Sequence, residues 1–193
     1  MRPNRKFHSV GGPAFLAIVG LAVSVWAAGE KPAANQPEGF PAPEGPSAVS
    51  AELIAEHASV QPGGSTRIGV HFDLDEGWHI YAKESGDAGL PTQITWTVPF
   101  GVTAGPLEWP PHQEFVDPGE IRTFGYSGAV VLSSPLSLNP DSALEAIPIH
   151  ASVKWLACKE LCVPGSAELD LSLPVSSEPQ TPSAHTELFD HTS

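Results

Sequence analysis

Two runs of alternating apolar and polar residues, Ile147 to Ala157 and Ala167 to Leu173, stand on either side of the chain's two cysteines. Side chains alternate across a strand, so runs of this kind read as strands with one buried face. In the first run Ile147, Ile149, Ala151, Val153 and Trp155 share one face, and His150, Ser152, Lys154 and Cys158 share the other. In the second, Ala167, Leu169, Leu171 and Leu173 share one face, and Cys162, Ser166, Glu168, Asp170 and Ser172 the other. Lys159-Glu160-Leu161 is then a three-residue hairpin loop, and the residues that close it face each other on the same side of the ribbon. Facing Cα atoms lie ~5.5 Å apart, within disulfide range. Both cysteines are expected on the polar, outward face unless a bulge shifts the register.

Strand signals recur upstream. Thr66 to Leu74 alternates with period two, and Trp78 to Tyr81, Gln93 to Val98, Glu120 to Tyr126 and Ala129 to Leu132 are short runs bounded by Gly, Pro, Asp or Ser. One turn near Ala51–His57 is the sole helical signal. Gly and Pro together make up 39 of 193 residues, an excess that suits a loop-rich β fold. Seven or eight short strands in roughly 125 residues predict an all-β fold, an immunoglobulin-like β-sandwich with the cysteine hairpin on it. A small barrel is the alternative. Trp78, Trp96 and Trp155 are expected as core aromatics.

The N-terminus has the pattern of a secretory signal. Arg2, Arg5 and Lys6 precede an apolar stretch of 12 residues, Ala14 to Val25, too short for a comfortable membrane span. Val25-Trp26-Ala27 places cleavage after Ala27, giving a signal peptide at 1–27; an uncleaved anchor is the competing reading. Residues 28–47, rich in Pro, Ala, Gly and Glu, read as a linker, residues 48–173 as the folded domain, and residues 174–193 as a disordered tail. Loss of residues 1–27 leaves six basic against 22 acidic side chains, a formal charge of −16. Such a chain is a poor ligand for nucleic acid or anionic membrane surfaces. Export from the cytoplasm would put the cysteines where disulfides persist.

A structural bridge is the plainer reading of two exported cysteines. Its magnitude argues otherwise. Closing a five-residue loop stabilises a fold by only ~2 kcal/mol, against nearly ~5 for a hundred-residue loop. A short bridge at an exposed hairpin tip is better placed for exchange with another thiol. Lys159 is a candidate to stabilise a thiolate at Cys158, and Glu160 to oppose it. The C-x-x-x-C spacing without a βαβ pattern is not a thioredoxin site. Two cysteines also fall short of a closed zinc site, so no metal or cofactor is expected. Two other readings stay open: an immunoglobulin-like binding module with an inert disulfide, and Cu(I) handling by the two thiolates, without a thioether because Met1 is the only methionine.

The stretch Trp155-Leu156-Ala157-Cys158-Lys159-Glu160-Leu161-Cys162-Val163-Pro164 resembles the redox hairpin of the N-terminal periplasmic domain of the DsbD family of thiol:disulfide interchange proteins. The likeness continues, in the family's order, through Gly77-Trp78-His79-Ile80-Tyr81, Ser85 to Thr92, Thr95-Trp96, Trp109-Pro110 and Phe124-Gly125-Tyr126-Ser127-Gly128. It implies an immunoglobulin-like fold and protein-disulfide reductase chemistry. The cysteine pair would take electrons from a membrane-embedded reductant and pass them to thioredoxin-like periplasmic clients. It further implies that Cys162 forms the mixed disulfide with clients and that Cys158 resolves it. A cap loop with an acidic–aromatic pair corresponds to Glu114 and Phe115 within His112-Gln113-Glu114-Phe115. His79 and Tyr81 are candidates to line the site, with simple packing as the competing reading. The best-known members fuse this domain to a membrane domain and a thioredoxin-like domain; here the donor is expected to act in trans.

Overall fold

The computed structural model describes residues 48–117 and 119–190. The expected signal peptide at 1–27 and the expected linker at 28–47 lie outside the described residues. Ten strands run in order: β1 (Val49–Ala55), β2 (Ser65–Leu74), β3 (His79–Gly86), β4 (Gln93–Thr97), β5 (Val102–Ala104), β6 (Gln113–Asp117), β7 (Ile121–Ser127), β8 (Ala129–Leu138), β9 (Ala146–Cys158) and β10 (Cys162–Pro174), followed by a short helix α1 (Thr186–Asp190). They form two antiparallel sheets. One has the order β1-β2-β8-β5; the other runs β10-β9-β3-β7-β6, with β4 also paired to β9. Among the described residues the two sheets end on β1 and β5 and on β10 and β6, so this is the immunoglobulin-like sandwich and not the closed barrel.

Alternation fills the space between the sheets. Ile147, Ile149, Ala151, Val153 and Trp155 of β9 are buried, as are Ile68, Val70 and Phe72 of β2 and Leu132 and Leu136 of β8. Each of the Val, Leu, Ile and Phe side chains among them contributes about 1.5–3 kcal/mol by leaving water. Phe72 and Trp155 meet edge to face across the sandwich at 5.6 Å between centroids. The Trp96 indole N–H donates to Ser134 Oγ at 2.9 Å and ties β4 to β8. Trp155 is a core residue as expected, while Trp78 and Trp96 pack half-buried at its margin. No helix among the described residues is long and apolar enough to cross a membrane.

Two expectations change. The helical turn at Ala51–His57 is instead strand β1, paired with β2 in register from Val49↔Leu74 to Ala55↔Ile68. Cross-strand pairing and burial of Leu53 and Ile54 outweigh the local helix preference. The segment read as a disordered tail folds back as far as Asp190. Ser176 N–H donates to Val60 O at 3.0 Å, Ala58 N–H to Thr181 O at 2.9 Å, and Ser183 N–H to Glu56 O at 3.0 Å. Then α1 sets Phe189, fully buried, against Ile54 and Val131 on the outer face of the smaller sheet. Gly69 makes that seat. A Cβ there would lie 2.6 Å from Val131 Cγ1 and 3.2 Å from Phe189 Cε1. A polar, Pro-rich composition concealed one anchoring ring.

Candidate functional site

The long hairpin of β9 and β10 carries the cysteines at its tip. Its register pairs Cys162 with Cys158 and continues without a break to Pro174↔Ala146. Lys159, Glu160 and Leu161 form the expected three-residue loop, closed by Lys159 N–H donating to Leu161 O at 3.3 Å. Cys158 and Cys162 are joined as a disulfide with their Cα atoms 4.1 Å apart. That separation is close to the ~4.5 Å of a non-hydrogen-bonded antiparallel pair.

The expected register holds, but one consequence drawn from it does not. Both cysteines lie on the face away from the core, yet only Cys162 is exposed. Cys158 is 3% exposed. The cover comes from β3 and β6. His79 pairs with Cys158 across the β3–β9 ladder, so their side chains share a face. Tyr81, two residues on, shares it too. The Tyr81 hydroxyl donates to Cys158 Sγ at 3.0 Å and lies 3.8 Å from Cys162 Sγ. His79 meets the Tyr81 ring edge-on at 5.3 Å, and Phe115 of β6 stacks on His79 at 4.4 Å with 13° between planes. A continuous aromatic wall, Phe115–His79–Tyr81, therefore ends on the disulfide. His79 and Tyr81, at 4% and 3% exposure, are buried members of the site.

Other predicted positions fall elsewhere. The Lys159 ammonium donates to Glu76 O at 2.9 Å. It pins the hairpin tip to the β2–β3 turn. Glu160 is exposed at the tip beside Leu161, itself 78% exposed. Glu114 pairs with Arg122 at 2.6 Å across the β6–β7 hairpin. The segment that leads into β6 is held as well: Tyr126 Oη donates to Pro110 O at 2.9 Å, and Ser127 Oγ to Gln113 Oε1 at 3.0 Å. Burial pushes the Tyr126 phenol up to about 12, so it stays a donor. Among the described residues no cluster of three or more His, Cys, Asp or Glu side chains is arranged to hold a metal.

Gly89, which the sequence offers only as part of the stretch Ser85 to Thr92, has a role of its own. It has φ +98, and a Cβ on it would lie 2.3 Å from Tyr81 Cε1. The loop before β4 can therefore lie flat on the Tyr81 ring only with glycine at this position. The Gly-x-x-Gly spacing at Gly86 and Gly89 was the available signal.

A sandwich that spends its single disulfide on a hairpin tip, under an aromatic wall and not between its sheets, belongs to the class of thiol–disulfide interchange domains. Residues 50–174 match the family described as "Thiol:disulfide interchange protein DsbD, N-terminal", and the chain belongs to that family. Among solved structures, the N-terminal periplasmic domain of ScsB from Proteus mirabilis is similar at 23% identity and a TM-score of 0.53, over 74% of this chain and 51% of that one. This chain thus spans about half the length of that structure. The reduced N-terminal domain of DsbD from Neisseria meningitidis aligns at 18% identity and a TM-score of 0.35, over 68% of this chain and 90% of that one. Among curated proteins no match is found.

Proposed function

We propose that this domain relays electrons in the periplasm: it takes them from a membrane-embedded dithiol partner and reduces thioredoxin-like clients through Cys158 and Cys162. Export by residues 1–27 is part of the same reading. The observation that carries it is the unequal access of the two cysteines, Cys162 exposed and Cys158 buried. Exchange proceeds by attack of a thiolate on one sulfur of a disulfide. An incoming thiolate reaches Cys162, bonds to its sulfur, and releases the electron pair of the broken bond onto Cys158. A second partner thiolate then attacks its own sulfur in the mixed disulfide and frees reduced Cys162. With a client the steps run in reverse: Cys162 attacks the client disulfide, and Cys158 resolves the adduct. Phe115 and Glu114 act as the lid, Phe115 by stacking on His79 and Glu114 by fixing the cap to Arg122.

Equilibration of the purified protein with a thiol/disulfide redox buffer tests the reading. Exchange-competent pairs have potentials less negative than about −300 mV, whereas structural bridges lie below that value. Cys158→Ser should accumulate a mixed disulfide through Cys162 when mixed with an oxidised thioredoxin-like protein. A potential deep in the structural range, with no trapped adduct, overturns the proposal.

A further inference from the structure

We propose that Tyr81 is a catalytic residue of this exchange: its hydroxyl holds the anion that Cys158 becomes when a thiolate attacks Cys162. The proposal rests on the exchange reading above and adds to it the group that stabilises the leaving sulfur. Tyr81 Oη stands 3.0 Å from Cys158 Sγ, as donor, and 3.8 Å from Cys162 Sγ. Tyr81 and Cys158 are each 3% exposed.

A thiolate formed at a buried site loses the hydration that stabilises it, which raises the thiol's pKa and makes it a poorer leaving group. Cys162, being exposed, draws on water. Cys158 needs a donor from the protein. The charged neighbours on its own hairpin do not provide one: the Lys159 ammonium is directed to Glu76 O, and Glu160 carries the wrong sign. From β3, His79 lies edge-on to the Tyr81 ring. Tyr81 is the residue whose O–H reaches the sulfur.

The step balances without a co-reactant. The incoming thiolate bonds to Cys162 Sγ and is oxidised to a mixed disulfide. The Cys158–Cys162 bond breaks, and its electron pair reduces Cys158. The proton stays on Tyr81, because an ordinary phenol is a weaker acid than an ordinary thiol, ~10 against ~8.5. Tyr81 thus works by a charge-assisted hydrogen bond, not by proton transfer. The same bond directs the reaction. Attack at Cys162 leaves the charge beneath the hydroxyl, whereas attack at Cys158 is blocked by burial and would leave it on the sulfur farther from that hydroxyl.

Tyr81→Phe keeps the ring that packs under Gly89 and removes only the donor. In a Cys162→Ser background, where Cys158 is the sole thiol, thiolate absorbance against pH should show the midpoint raised by about one unit in Tyr81→Phe, a tenfold weaker acid. In the protein with both cysteines, Tyr81→Phe should slow reduction of the disulfide by dithiothreitol about tenfold, with its thermal midpoint nearly unchanged. Site-specific 3-fluorotyrosine at position 81, a stronger donor, should move the Cys158 midpoint down. A packing role does not produce this opposed pair of shifts. Unchanged midpoints in both variants overturn the proposal, as does a shift on His79→Gln with none on Tyr81→Phe. If the unsubstituted disulfide is inert to dithiothreitol and forms no mixed disulfide, the exchange reading fails, while the Cys158 titration still decides whether Tyr81 holds that thiolate.

Discussion

Cys162 is exposed and Cys158 is buried against Tyr81, the inner member of a wall of three aromatic side chains. Phe115 is the outermost of them and half-exposed, while His79 beneath it is buried. Phe115→Ala removes one ring from the wall without touching the core between the sheets. If Phe115 acts as the proposed lid, reduction of the disulfide by glutathione, followed by mass spectrometry of quenched samples, should then run several-fold faster. An unchanged rate would separate Phe115 from access to the sulfurs. At this scale the sequence was half legible. The cysteines, their loop and their common face follow from parity and spacing. The burial of Cys158 does not, since its cover comes from Tyr81, 77 positions earlier. Alternation tells which face a side chain takes, not what another strand lays over it.

At the level of elements, α1 shows how little composition reveals about a short anchoring segment. Phe189 is fully buried against Ile54 and Val131, with the Arg67 guanidinium 5.3 Å above its ring. Arg67 also donates to Phe189 O at 3.1 Å and forms two bonds to the Glu56 carboxylate, at 2.8 and 3.1 Å. Truncation of a buried phenylalanine costs about 3–5 kcal/mol. Phe189→Ala should lose about 3 kcal/mol in urea unfolding, with the dithiothreitol reaction at Cys162 unaltered. The Arg67 guanidinium also holds the Glu56 carboxyl below its ordinary value of 4.5. A lowered carboxyl pKa stabilises the fold above the unfolded value and ceases to do so as pH falls through the folded one. Glu56→Gln should therefore be less stable than the parent protein at pH 7, and the two stability curves should draw together below pH 4.5. Thermal denaturation across that range checks it; a constant gap would show that the ion pair adds nothing. The hairpin of β9 and β10 was readable because each strand alternates over many residues. The β1 strand was not, because Glu52-Leu53-Ile54-Ala55 puts three apolar residues in succession. Ile54 faces outward to receive Phe189 while Leu53 and Ala55 face the core, so both sides of β1 are apolar there and the period is lost.

For the whole molecule, the decisive relation is that the disulfide and the core are separate. The sandwich is held by two sheets closed on Phe72, Trp155 and their neighbours, while the bridge lies at the tip of one hairpin and spans four positions. A thiol–disulfide interchange domain has to stay folded in both redox states, since an unfolded reduced form would lose the Tyr81–Cys158 contact. Chain entropy sets the penalty for opening so short a loop at ~2 kcal/mol. For a domain of this size that is a fall in thermal midpoint of about 10 °C or less. The doubly substituted Cys158→Ser, Cys162→Ser protein should therefore give the same far-ultraviolet circular dichroism as the oxidised protein and a single cooperative transition, lowered within that range. The dithiothreitol-reduced protein should melt close to the double variant. Collapse of the fold on reduction would mean that the bridge is a staple after all, and the separation of redox site from core, on which exchange depends, would not exist.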